Sequence, residues 1–215
     1  MLDLENVTLV SVTSVNIEKT ISALNYSMKN INFGECLLLT DKNVNPNNIK
    51  TIKIDTLDYI GYSKFIVYEL HKYINTEFAL IIQNDGFVVN PDKWNDDFLK
   101  YDYIGAPFPI PNDDFSYRDP FGNLIRVGNG GFSLRSKKLL QLPTILNLEW
   151  KSYFGYYNED GFFAVHNRFL FEKEGCNFAP VELAAHFSIE HETDETKNIE
   201  PFGFHGKHSF YNNLI

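Results

Sequence analysis

Two short stretches hold acids placed where they could do chemistry. In Gln83-Asn84-Asp85-Gly86, three polar residues and a glycine interrupt two apolar runs. A carboxylate at a strand end can hold a divalent cation whose remaining ligands are phosphate oxygens. The same Asn-Asp-Gly can simply turn the chain, as an Asx turn or a type I′ hairpin, and local spacing favours the turn. In Asn158-Glu159-Asp160 the two acids open a helical pattern. The positive end of a helix dipole favours carboxylates in the first turn. That placement also fixes a carboxylate on a rigid element, as a general base needs to take a proton from an attacking hydroxyl. On local grounds the first stretch leans toward a turn and the second toward a helix cap, with the chemical reading of each still open.

Other clusters narrow the chemistry. Gly128-Asn129-Gly130-Gly131 is neither a dinucleotide fingerprint nor a P-loop, because the spacing and the Gly-Lys-Ser/Thr ending are missing. Three glycines in four positions indicate positive φ or a close backbone approach, in a bulged turn or a ligand-facing loop. His186 and His191 are one residue too far apart for a zinc-hydrolase helix; on a helix they would lie about 140° apart, and that activity is rejected. Near the end of the chain, Phe202-Gly-Phe-His-Gly-Lys-His208 is too aromatic and glycine-rich for a plain tail. There His205 could complete a metal's ligands or touch a phosphate, and Lys207 could pair with one. Trp150 to Tyr157 supplies five aromatics, most of them expected in the core and one or two able to stack on a sugar face.

The elements that must position these groups alternate strand and helix in the first half. Strands are expected at 8–13, 36–40, 49–54 and 78–82. Asn16 is expected to cap a helix with an Ile17, Ile21, Leu24, Met28 and Ile31 stripe, and Ser63 one carrying Ile66, Leu70 and Ile74. That order predicts an α/β fold with a mostly parallel sheet, whose ligands sit beyond the carboxyl ends of the strands, where Asp85 falls. Residues 105–126, with four of the nine prolines, read as a long functional loop. An alternating strand over 132–134 follows. A helix over 159–174 is expected to be capped by Asn158, to turn Phe162, Val165 and Phe169 inward and to end at Gly175.

The totals set limits. At 215 residues the chain fits one domain over 1–215 with a sizeable core. A net charge of −9 argues against binding bare nucleic acid, which takes clustered Lys and Arg. Two cysteines in no metal spacing fit a reducing compartment, and the start lacks a signal-peptide pattern. With no stretch long enough to span a bilayer, a cytoplasmic location is expected.

Taken in order, from Val10-Ser-Val-Thr13 through Gln83-Asn84-Asp85, Gly128-Asn-Gly-Gly131 and Asn158-Glu159-Asp160 to Phe204-His-Gly206, the motifs resemble those of small single-domain GT-A-type nucleotide-sugar glycosyltransferases. The resemblance implies a GT-A-like α/β domain. It implies transfer of a sugar from a nucleoside diphosphate, expected to be UDP, to a hydroxyl of a glycan acceptor. In that reading Thr13 and Ser14 hold the nucleoside. Asn84 and Asp85 stand at the metal motif, and Asn129, Gly130 and Gly131 lie near the donor sugar. Glu159 positions hydroxyls and Asp160 is the base of an inverting reaction. Asp85 and His205 hold Mn²⁺ or Mg²⁺, and Lys207 offsets phosphate charge. Gln83 departs from the family pattern by replacing its first aspartate, so Asp85 is the single charged member and the metal is weakly held, arrives only with the nucleotide, or is dispensable. Two alternatives are a glycan-binding module without catalysis and a sugar-1-phosphate nucleotidyltransferase. Against the latter, the residues after the first strand, Ser11-Val-Thr-Ser-Val-Asn-Ile-Glu18, hold neither glycine nor a basic group.

Overall fold

The computed structural model describes residues 1–152 and 158–206. Lys207, His208 and the aromatics at 153, 154, 156 and 157 lie outside the described residues.

The β-rich start forms β1 (Leu2–Val12), followed by α1 (Ile17–Ser27), β2 (Ile31–Thr40), β3 (Lys50–Lys53), α2 (Tyr59–Tyr68) and β4 (Phe78–Ile82). These β-α-β units make a parallel core in which Val10 pairs with both Leu37 and Ile81. After β4 come the short β5 (Gly86–Val88), β6 (Tyr103–Gly105) and β7 (Phe132–Ser136). Among the described residues the main sheet has six strands in the order β3-β2-β1-β4-β7-β6, with β7 antiparallel to both neighbours. The expected mostly parallel α/β sheet is therefore present, with a mixed edge.

Alternate residues of β1 feed two apolar layers. Val10 and Val12 join Leu37, Ile66 and Ile81 on one face; Val7 and Leu9 join Leu24, Leu38 and Leu80 on the other. Burying each such side chain contributes roughly 1.5–3 kcal/mol. The expected alternation in β7 gives way to burial of all five residues, since layers cover both faces of a strand inside the sheet.

Helix starts differ from expectation in two places. Asn16 precedes α1 but adopts a left-handed backbone (φ 53°) and caps through its carbonyl, not its side chain. The fully buried residues are Thr20, Ala23, Leu24 and Ser27, whose hydroxyl accepts from the Val88 N–H at 3.0 Å, while Ile21 and Met28 of the expected stripe pack half-buried against the same layer. In α2 the cap is Asp58, which accepts from the Gly61 N–H at 2.7 Å, and Ser63 is buried inside the helix. Starting α2 five residues earlier puts Tyr59 and Tyr62 in its first turns.

After α3 (Lys137–Ile145) the expected helix over 159–174 is broken in two. Gly161–His166 winds as a wide π turn, with the Asn167 N–H reaching the Phe162 carbonyl at 3.2 Å, and α4 (Arg168–Lys173) restarts beyond Asn167. The widened turn shifts the register, so Phe162, Val165 and Phe171 face inward while Phe169 lies half-buried against Phe121. Asp160, not Asn158, accepts from the Gly161 N–H, at 2.7 Å. Gly175 follows with φ 73°, as expected of a helix stop.

The last described elements are α5 (Val181–Phe187), β8 (Ser188–Ile189) and β9 (Gly203–His205). They build a small second sheet, β5-β9-β8, in which Gly86 pairs with His205 and Ser188 with Gly203. This sheet brings residues 85, 190 and 205 together. Its strands are fixed by an aromatic cluster: Phe87 stacks on Phe204 at 5.3 Å, and Phe98, Phe187 and Phe202 pack beside Phe132. Much of the aromatic content is thus core. No helix among the described residues is long and apolar enough to cross a membrane.

Candidate active site

A cleft of about 520 Å³ opens beyond the carboxyl ends of β1 and β4. Thr13, Ser14 and Asn84 border it on the strand side, Asn129 and Gly131 form part of its floor, and Glu159, Asp160 and His205 face it from elsewhere in the chain. Asp85 joins the group through its side chain, whose Oδ1 lies 3.3 Å from His205 Nε2. Residues 85, 160 and 205 therefore gather at one place, as the sequence reading requires.

Asp85 both turns the chain and reaches the site. The Gly86 N–H donates to the Gln83 carbonyl at 3.0 Å, closing a turn in which neither Asn84 nor Asp85 has positive φ. It is accordingly not a type I′ hairpin. The Gly206 N–H donates to the Asp85 carbonyl at 3.0 Å, which locks the turn to β9 and leaves the carboxylate beside His205.

His205 is held on both sides. Its Nε2 lies 3.2 Å from Gln83 Oε1, and the same amide donates through Nε2 to the Tyr62 hydroxyl at 3.1 Å. Its Nδ1 is 3.2 Å from Glu190 Oε1, close enough for an ion pair but not aligned as a hydrogen bond. Burial disfavours the imidazolium, but Asp85 and Glu190 outweigh it and push the pKa up to about 9.

The Gln83 oxygen, Asp85 Oδ1 and His205 Nε2 also suit a cation. Separations of 3.2 and 3.3 Å from Nε2 are near the ~3 Å edge expected for ligands on an octahedral ion with bonds of roughly 2.1 Å. Binding would release the Nε2 proton. Among the described residues no three His, Cys, Asp or Glu side chains surround one point, so a cation here would take its other ligands from outside these groups.

The acidic pair divides into a buried and an accessible member. Glu159 is buried and its Oε1 accepts from Arg135 Nη2 at 3.1 Å. Arg135, fully buried on β7, also donates through Nε to the Ser133 hydroxyl at 3.1 Å and lies over the Tyr103 ring. Asp160 is crowded by protein yet keeps part of its side chain open to the cleft. Burial and the neighbouring Glu159 raise its pKa to about 7, against smaller lowering effects of the Gly161 N–H and Arg135.

The glycines serve close approach rather than positive φ. A Cβ on Gly131 would overlap the His205 ring, and one on Gly130 would overlap the Glu159 carboxylate. Gly131→Ala should therefore cost about 1–3 kcal/mol through overpacking. A melting temperature equal to wild type would show that the ring moves freely.

Thr13 and Ser14 border the cleft, but their hydroxyls also serve the backbone: Thr13 bonds Val15, and Ser14 accepts from the Leu57 N–H at 2.9 Å. Sequence reasoning missed Arg135, Glu190, Tyr59 and Tyr62. A lone arginine in the strand Phe132–Ser136, at a position continuing the alternation, was the available signal for the first. Glu190 stands inside the His186–His191 stretch, which matters for that acid and not as a zinc helix.

The fold is that of GT-A glycosyltransferases. The galactosyltransferase LgtC, solved with donor and acceptor sugar analogs, superposes with a TM-score of 0.52 at 13% identity, over 92% of this chain and 86% of that one. An active-site mutant of LgtC gives 0.52 at 12%, with the same coverage. A glycosyltransferase involved in glycosylating the major capsid of PBCV-1 gives 0.49 at 15%, over 93% and 92%. No curated protein matches the sequence. A family model does match residues 48–205, from before β3 to His205, and this chain thus belongs to the family described as "Protein of unknown function (DUF5672)".

Proposed function

We propose that this protein is a glycosyltransferase whose single domain, 1–215, moves a sugar from a nucleoside diphosphate, UDP first among the candidates, to a hydroxyl of a glycan. One observation carries the reading: a carboxylate tuned to about 7, Asp160, faces the same cleft as the Asp85–His205 pair. A base poised near neutral pH is most useful to a hydroxyl nucleophile.

In this mechanism Asp160 takes the proton of the acceptor hydroxyl as its oxygen bonds to the anomeric carbon. The bond from that carbon to the diphosphate breaks on the opposite side, and the nucleoside diphosphate leaves with the bonding electrons. In-line displacement inverts the anomeric centre. Mn²⁺ or Mg²⁺ on Asp85 and His205 would neutralise charge on the departing diphosphate. Glu159, held by Arg135, keeps the Asp160 segment in place; Lys207 is assigned to the phosphates. In this reading Thr13, Ser14 and Asn84 hold the nucleoside, and Asn129 and Gly131 approach the donor sugar with Gly130 packed behind them against Glu159. The free, buried thiols of Cys36 and Cys176 suit a reducing compartment, and we place the reaction in the cytoplasm.

Titrating UDP, GDP and dTDP with and without Mn²⁺, then screening the matching sugars for donor hydrolysis, tests the reading. UDP should bind and its affinity should rise at least several-fold with Mn²⁺. Binding of sugars without any nucleotide would instead identify a glycan-binding module, and loss of all nucleotide binding would end the proposal.

A further inference from the structure

The wall that carries Asp160 has a second side. Asn129, Asn158, Asp160 and Glu190 border the main cleft and also a separate cavity of about 200 Å³. Three aromatics from the long irregular segment after β6, Phe108, Phe115 and Tyr117, also line that cavity. That segment is anchored by the Phe108 N–H donating to the Arg126 carbonyl at 2.7 Å, and by Phe108 stacking on Tyr117 at 4.2 Å. The π turn closes the base with Val165 and His166.

We propose that this cavity is a subsite for one neutral hexopyranose ring, presented to Asp160 as the acceptor. Its role as an acceptor site rests on the transfer reading above; the site itself does not. The volume equals about seven waters, close to one hexose with its hydroxyls. A lining of aromatic rings together with amide and carboxylate groups matches the apolar and hydroxyl-bearing parts of a sugar. Asn129 and Asn158 bring amide groups to the shared wall, able to donate to and accept from sugar hydroxyls.

Charge sets the class. Asp160 and Glu190 both border the cavity, and no Lys or Arg does among the described residues. His166 offers no compensation, because burial drives its pKa down to about 4 and keeps it neutral. The nearest cation among the described residues, the His205 imidazolium beside Glu190, is shared with Asp85, so a uronate or other anionic sugar would meet a net negative wall.

Saturation-transfer NMR on the full chain, with methyl hexopyranosides and the matching methyl hexuronosides, tests this. The neutral glycosides should bind and the uronosides bind at least tenfold more weakly. Phe115→Ala should weaken the neutral sugars by about tenfold, and Phe115→Trp should retain them. His191→Arg, at an exposed rim position, should strengthen uronoside binding by about fivefold, a gain that misfolding cannot mimic. Equal binding of both classes, no hexoside binding, or no response to Phe115→Ala and His191→Arg would overturn the subsite. UDP binding measured separately on the wild-type protein distinguishes the two ideas. Hexoside binding without UDP binding keeps the subsite and removes the transfer reading; UDP binding without hexoside binding does the reverse.

Discussion

Asp160→Asn should abolish most transfer, by roughly a hundred- to ten-thousandfold in kcat, while making the folded protein more stable at neutral and alkaline pH. The two effects have one cause. Burial and the charge of Glu159 hold the Asp160 pKa at about 7, against 3.8 for an ordinary aspartate. Between those values the unfolded chain has lost this proton and the folded chain keeps it. Unfolding then releases a proton, and the stability contributed by the neutral acid falls as pH rises from about 4 to 7. Asparagine carries no such dependence, so the variant's advantage should grow over that window and level off above it. A shift of about three units sets a ceiling near 4 kcal/mol, and partial exposure to the cleft lowers the expectation to roughly 1–3 kcal/mol. In the wild type, kcat/KM should rise with pH through about 7 as the base ionises. Denaturant titrations at pH 5 and 8, with donor turnover at both, check the pair. Near-wild-type transfer by Asp160→Asn would remove the base, and equal stability at both pH values would mean the carboxylate is not perturbed.

The parts of this site legible in the sequence are those whose residue types have few other uses. Asp85 after an apolar strand, the Glu159-Asp160 pair and the Gly130-Gly131 step announce themselves locally, and all border or touch one cleft. The β-α-β order was readable because Phe78–Ile82 and 36–40 are apolar runs with sharp polar ends. Long-range geometry was not readable. Nothing within residues 186–206 says that β9 inserts between β5 and β8, yet that pairing gives His205 its two carboxylate neighbours. The π turn was missed because a single widened turn leaves the apolar spacing nearly helical until Phe169, where the register slips. Ser63 reads as a cap because it precedes the most apolar part of α2, but Asp58 caps the helix earlier, with a carboxylate that takes the Gly61 N–H.

Arg135→Met should destabilise the protein by about 3–5 kcal/mol, because it strands Glu159 as a buried carboxylate without its counter-ion. Glu159→Gln should be costly for the converse reason, leaving a fully buried guanidinium that retains the Ser133 hydroxyl and the Tyr103 and Phe163 rings, at 4.9 and 5.1 Å. The double variant should recover most of the loss, since two neutral side chains avoid the desolvation that either lone charge suffers. The pH profile separates this scaffold role from a direct effect on the base. Arg135 lowers the Asp160 pKa and Glu159 raises it. Hence the acidic limb of kcat/KM should move above pH 7 in Arg135→Met and below it in Glu159→Gln. Opposite displacements from two variants that both lose stability cannot come from general loosening of the fold. Displacements in the same direction would mean that the ion pair shapes the cleft without tuning Asp160.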